Sequence, residues 1–169
     1  LLSSKFYKLA EELGNFLAKK KITIVYGGGK VGLMGKISST SYAASGQVIG
    51  VIPKFLTKKE IINKEVTKTI IVKSMTERKN LMYKMGDAYL ILPGGSGTIE
   101  EAAEIISWKF LGLHNKKIIL FNFDNYWEPM IKMYNQSKNQ KFGKKNLQII
   151  CEHIKTFSEF KKIFKNDKN

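Results

Sequence analysis

The chain has 169 residues, 43% hydrophobic and 25% charged, the balance expected of one soluble globular domain (1–169) long enough to bury a core. Its apolar runs, such as AYLIL (88–92) and KKIILFN (116–122), fall well short of the ~20 residues of a membrane span, and no signal-peptide pattern opens it, so no membrane partner is expected. The net charge of +15 is spread along the whole chain rather than gathered in a stripe, which argues against a specific nucleic-acid partner, and the single Cys151 fits a reducing, cytoplasmic location.

SSKFYKLAEELGNFLAKK (3–20) sets Phe6, Leu9, Leu13, Phe16 and Leu17 at helical spacing, with Ser3 or Ser4 as cap. ITIVY (22–26) is a short β-branched run ending in GGG, and residues 31–45 suit a helix stopped by Gly46. QVIGVIP (47–53) and VTKTIIV (66–72) read as strands, and the irregular stretch 54–65 between them as a mobile flap. SMTERKNLMYKM (74–85) is helical, DAYLILP (87–93) a strand and TIEEAAEIISWKFLGL (98–113) a helix. KKIILFN is a strand, DNYWEPMIKMYNQSKN (124–139) a helix, LQIIC (147–151) a last strand and TFSEFKKIFK (156–165) a closing helix. Short apolar strands alternating with amphipathic helices predict an α/β fold: a doubly wound, Rossmann-like parallel sheet with helices on both faces.

Two strands end in glycine turns, ITIVY in GGGKVGLMG and AYLIL in PGGSGT. In a parallel sheet both turns would lie at the carboxyl edge, where ligands bind and helix N-termini offer unpaired N–H groups to an anion. Gly27, Gly29 and Gly32 satisfy G-x-G-x-x-G, but the next strand ends in Pro53 without a ribose-gripping carboxylate, which disfavours NAD. Gly35-Lys36 is followed by Ile37, so a Walker A loop also fails. A site of mononucleotide size remains.

Carboxylates follow the second turn at once. Thr98 as cap would put Glu101 at the third helical position, a capping box. Yet Glu100, Glu101 and Glu104 are more than a cap needs. A carboxylate just beyond a phosphate cradle lies where a nucleotide's sugar would be, and it could activate water or face positive charge at C1′. The wheel gives Ile99, Ala102, Ala103, Ile106, Phe110 and Leu113 as the buried stripe, with Glu101 and Glu104 beside Trp108. Arg78, the one arginine among 29 basic residues, shares a helical face with Met75, Met82 and Met85 and calls for an anionic partner. His114 and His153 lack metal-ligand spacing, and Trp108 and Trp127 read as core.

YGGGKVGLMG (26–35), VIGVIP (48–53), SMTERK (74–79) and PGGSGTIEE (93–101), continued by GLHNKKIILFNFDNYWEPM (112–130), resemble the LOG or "lonely guy" family of cytokinin-activating phosphoribohydrolases over nearly the whole chain. The resemblance implies hydrolysis of the N-glycosidic bond of a nucleoside 5′-monophosphate, a cytokinin riboside monophosphate or AMP, to free base and ribose 5-phosphate. It implies Arg78 and Glu101 as the catalytic pair and Gly28, Gly29, Glu60, Lys79, Gly94, Gly95, Ser96, Gly97, Thr98 and Glu100 as substrate contacts. It further implies a homodimer and no metal or other cofactor. Members often carry the older label lysine decarboxylase, for which no pyridoxal-binding lysine is identifiable here. The family usually opens with a further strand and a Gly-Ser turn, where this sequence opens on a helical pattern, and Ser96 stands where an aromatic is common. The rival reading is a non-catalytic nucleotide-binding module of the same fold.

Overall fold

A computed structural model describes residues 3–57, 62–143 and 147–164. Two compact units divide the chain, Leu1–Gly86 and Asp87–Asn169. Among the described residues, the hydrogen-bonded pairing forms a parallel three-stranded sheet in each unit, flanked by helices as expected.

The first unit runs α1 (Ser4–Lys19), β1 (Ile24–Tyr26), α2 (Gly32–Ala43), β2 (Val48–Pro53), β3 (Lys68–Val72) and α3 (Met75–Met85), with strand order β1-β2-β3. Helix α1 forms because Leu9, Leu13 and Leu17 recur every four residues with no proline to interrupt them; all three are buried. Leu33 and Ile37 of α2 and Val48, Val51 and Ile52 of β2 are buried as well, Val51 on the sheet face opposite Val48 and Ile52. Each such side chain contributes about 1.5–3 kcal/mol by leaving water, so Leu13→Ala would cost about 2–5 kcal/mol. Helix α2 ends on Ser45 in the left-handed region (φ 60°), with the Gly46 N–H donating to Ser41 O at 2.8 Å. The expected stop, Gly46, therefore lies one residue beyond the left-handed position.

The second unit runs β4 (Ala88–Ile91), α4 (Ser96–Phe110), β5 (Lys117–Phe121), α5 (Glu128–Asn139), α6 (Leu147–Ile150), β6 (Glu152–Ile154) and α7 (Phe157–Ile163), with strand order β4-β5-β6. Its core joins Ile91, Ala102, Ile106, Ile118, Leu120, Trp127, Ile131, Leu147, Ile150 and Cys151. Trp127 is core, as expected. Two expectations fail. LQIIC is not a strand: Leu147, Ile150 and Cys151 bury at i, i+3 and i+4, so the run is a helical turn and EHI is the strand. Leu113 leaves the α4 stripe because Gly112 (φ 74°) turns the chain out of the helix, and Leu113 and Ile99 are both exposed. Thr156 and Glu159 form the capping box that starts α7. Among the described residues no helix is long and apolar enough to cross a membrane.

Candidate active site

In the first unit, α3 opens on a firm cap: Ser74 Oγ accepts from the Glu77 amide at 3.1 Å, and Glu77 Oε2 accepts from the Lys73 amide at 2.7 Å. That cap fixes the turn carrying Arg78 and Lys79, both half-buried. The Arg78 guanidinium lies 3.7 Å from Met75 Sδ through Nη1 and presses against Gly27, where a Cβ would collide with Nη2 and stand 2.9 Å from Cζ. The first glycine of the β1 turn thus makes room for the arginine.

The rest of that turn is engaged by the chain itself. Gly28 (φ 81°) packs on β2, where a Cβ at Gly50 would stand 3.0 Å from its Cα. Its carbonyl accepts the Asn63 N–H at 3.0 Å, and Gly29 pairs with Ile62 in an antiparallel bridge. Asn63 is 1% exposed; its Nδ2 donates to Ser38 Oγ at 2.9 Å and Ser39 Oγ at 3.1 Å, and its Oδ1 accepts from the Glu65 amide at 3.0 Å. The end of the stretch read as a flap is therefore anchored, and Gly28 and Gly29 are buried beneath it. Glu60 lies outside the described residues.

In the second unit, β4 leads through Pro93 and Gly94 into α4, whose N-cap is Gly95. Thr98 is thus the third helical residue rather than the cap, the first turn holds no acidic side chain, and Glu101 lies in the second turn. The capping-box explanation of Glu101 falls with that register. Gly95 offers no side-chain acceptor, so the N–H groups of Ser96, Gly97 and Thr98 are those a helix start leaves without an intrahelical partner. The glycines of this turn divide by use. A Cβ at Gly94 would collide with Thr98 Oγ1, whereas one at Gly95 or Gly97 would meet nothing within 4 Å. Neither of the latter has a positive φ. Among the described residues nothing packs against either position, which leaves open space over the helix N-terminus.

Sequence reasoning overlooked two residues here. One is Asn63, hidden in the supposed flap. The other is Tyr126, whose hydroxyl donates to Gly94 O at 2.6 Å. Its pairing spans 32 positions, a distance that spacing does not reveal. An open depression of about 690 Å³, lined by Glu11, Asn15, Lys36, Thr40 and Glu65 among others, contains none of the expected site residues. A Lys36–Glu11 ion pair at 2.9 Å lies on it, and we read it as surface relief between α1 and α2. No group of three or more potential metal-ligating side chains occurs among the described residues.

A family model described as "Possible lysine decarboxylase" matches residues 34–163. A Rhodococcoides fascians protein named "Cytokinin riboside 5'-monophosphate phosphoribohydrolase" is 37% identical over 89% of this chain and 78% of its own length. An Arabidopsis thaliana protein of the same name with the suffix LOG3 is 39% identical over 82% of this chain and 65% of its own. Among solved structures, the molybdenum cofactor binding protein from Rippkaea orientalis superposes with a TM-score of 0.72 over 99% of this chain and 90% of that one; at 21% identity the likeness shows the Rossmann-type fold alone. The chain belongs to the LOG-like family that the matching model describes as "Possible lysine decarboxylase" and to which these phosphoribohydrolases also belong.

Proposed function

We propose that this protein hydrolyses the N-glycosidic bond of a nucleoside 5′-monophosphate, a cytokinin riboside monophosphate or AMP, releasing the base and ribose 5-phosphate. The observation that carries the reading is the N-terminus of α4: an anion-attracting helix start with open space above Gly95 and Gly97, and a carboxylate in the next turn. Relatives 37–39% identical carry the phosphoribohydrolase name.

In this reading the 5′-phosphate sits on the amides of Ser96, Gly97 and Thr98, with Gly94 and Gly95 shaping the approach. Glu101 lies five residues past Ser96, about 7.5 Å along the axis at 1.5 Å per residue, on the scale of a pentose phosphate. Its carboxylate faces C1′ and stabilises the oxocarbenium-like centre as the C1′–N bond breaks and the base leaves with its electron pair; the water oxygen bonds to C1′, and the proton that Glu101 takes from it passes to the departing base. Arg78 supplies a planar, permanently charged fork for the substrate's anionic oxygens, and Lys79 adds a second cation. Glu60 and Glu100 complete the proposed contacts, and Gly28 and Gly29, engaged by Asn63 and Ile62, are given none. We propose a homodimer as the acting form.

Incubation with AMP and with isopentenyladenosine monophosphate, followed by chromatography, should yield free base and ribose 5-phosphate. Saturable binding with no release from any nucleoside monophosphate would instead establish the non-catalytic module. The fold alone is compatible with that rival; the phosphoribohydrolase names of closer relatives favour turnover.

A further inference from the structure

We propose that Tyr126 is a positioning residue that holds the peptide between Gly94 and Gly95 in the orientation needed to receive the substrate's phosphate monoester. The proposal rests on the hydrolase reading above and adds a residue to it. A peptide flanked by two glycines turns easily, because neither side limits it with a Cβ. In a planar trans peptide the C=O and the following N–H point in opposite directions. Fixing the Gly94 oxygen therefore also fixes where the Gly95 N–H points. The Tyr126 hydroxyl does this, donating to Gly94 O at 2.6 Å.

The segment that delivers Tyr126 is built for placement. Asp124 (φ 56°) and Asn125 (φ 58°) are consecutive left-handed residues, a conformation that Asp and Asn tolerate better than most side chains and that persists when surroundings enforce it. The enforcement is visible. Lys155 Nζ donates to Asn125 Oδ1 at 2.9 Å. The Trp127 amide donates to Asn122 Oδ1 at 2.7 Å, and Asn122 Nδ2 donates to Glu128 Oε1 at 2.9 Å. Asn122 is itself buried, its amide bonded to Ile154 O at 2.7 Å. The Tyr126 ring stands edge-on against buried Trp127, centroids 5.0 Å apart, yet Tyr126 is 42% exposed. So much fixation behind a half-exposed tyrosine has its outlet in the one bond to the cradle.

Tyr126→Phe keeps the ring and removes the hydroxyl. KM for the nucleoside monophosphate should rise about five- to tenfold, the scale of one lost hydrogen bond, with kcat within about twofold. The affinity for ribose 5-phosphate, measured by calorimetry, should fall by the same factor, and inhibition by free adenine should not change. Unchanged KM and ribose 5-phosphate affinity would overturn the proposal, as would kcat, KM and melting temperature failing together. A wild type that binds ribose 5-phosphate without cleaving nucleotides would refute the hydrolase reading alone, and calorimetry on Tyr126→Phe would still decide the tyrosine's role. A wild type that does not bind ribose 5-phosphate overturns both.

Discussion

The turns that end β1 and β4 are both glycine-rich and both lead into a helix, but the chain uses their bare Cα atoms in different ways. At the first, Gly27 gives way to the Arg78 guanidinium, and Gly28 and Gly29 are covered by Ile62 and Asn63. That turn is a joint inside the fold. At the second, Gly94 gives way to Thr98, but Gly95 and Gly97 border empty space at a helix start without a side-chain cap. This turn is the proposed receptacle. A Cβ at Gly32 of the first run would also meet nothing within 4 Å, but its φ of 69° already calls for glycine, so the open space at Gly95 and Gly97 is what neither packing nor backbone conformation explains.

The strongest challenge to this contrast is Glu101→Gln, which should lower kcat about 100-fold or more, the worth of a positioned acid–base group, with the melting temperature nearly unchanged. Loss of stability with retained turnover would mean the carboxylate serves the helix instead. Next, Gly27→Ala should push aside the Arg78 guanidinium, the far end of a flexible side chain, and so impair turnover at little cost in stability, seen in initial rates alongside denaturant melts. Gly97→Ala should instead add about 0.5–1 kcal/mol of stability from a better helix former, with raised KM and kcat retained as the new methyl intrudes on the phosphate. If the two alanine variants behave alike, the division between joint and receptacle is wrong.

Smaller effects belong to the start of α7 and to the buried Cys151. Thr156→Ala should cost about 1 kcal/mol through the lost cap of α7 and leave the kinetics untouched. The backbone N–H groups of Lys155 and Thr156 hold the Glu159 carboxyl below its ordinary range. Its contribution is therefore present above the unfolded-state pKa and is lost as pH falls through the lower, folded one, which acid titration of the wild type and the Glu159→Gln variant should show. Burial pushes the Cys151 thiol up to about 12. Native protein at pH 8 should leave a thiol reagent unreacted until denaturant is added, and stability should decline as pH rises above the thiol's ordinary value of 9.0 towards 12.

Most of the fold was legible because period and punctuation agreed: β-branched runs such as VIGVIP are short, and the helices between them carry apolar residues at three- and four-residue spacing. LQIIC misled because a five-residue apolar run has no period of its own, and burial of Leu147, Ile150 and Cys151 together decided for a helix. The start of α4 misled because a hydroxyl before a glutamate resembles a cap, while the backbone had already turned helical at Ser96. The candidate residues Arg78 and Glu101 were visible in composition and motif. Asn63 and Tyr126 were not, since each acts through a partner 24 or more positions away that local pattern cannot register.

The contact between Gly27 and Arg78 also bears on how such sequences can diverge. A side chain at 27 is incompatible with the guanidinium as placed, while a shorter residue at 78 would leave a void that a methyl at 27 could fill. The two positions should then be inherited as a pair. Where descendants have abandoned the arginine, the ban on a larger residue at 27 lapses, so the identity of that one position would mark which of them have given up the proposed role of the guanidinium.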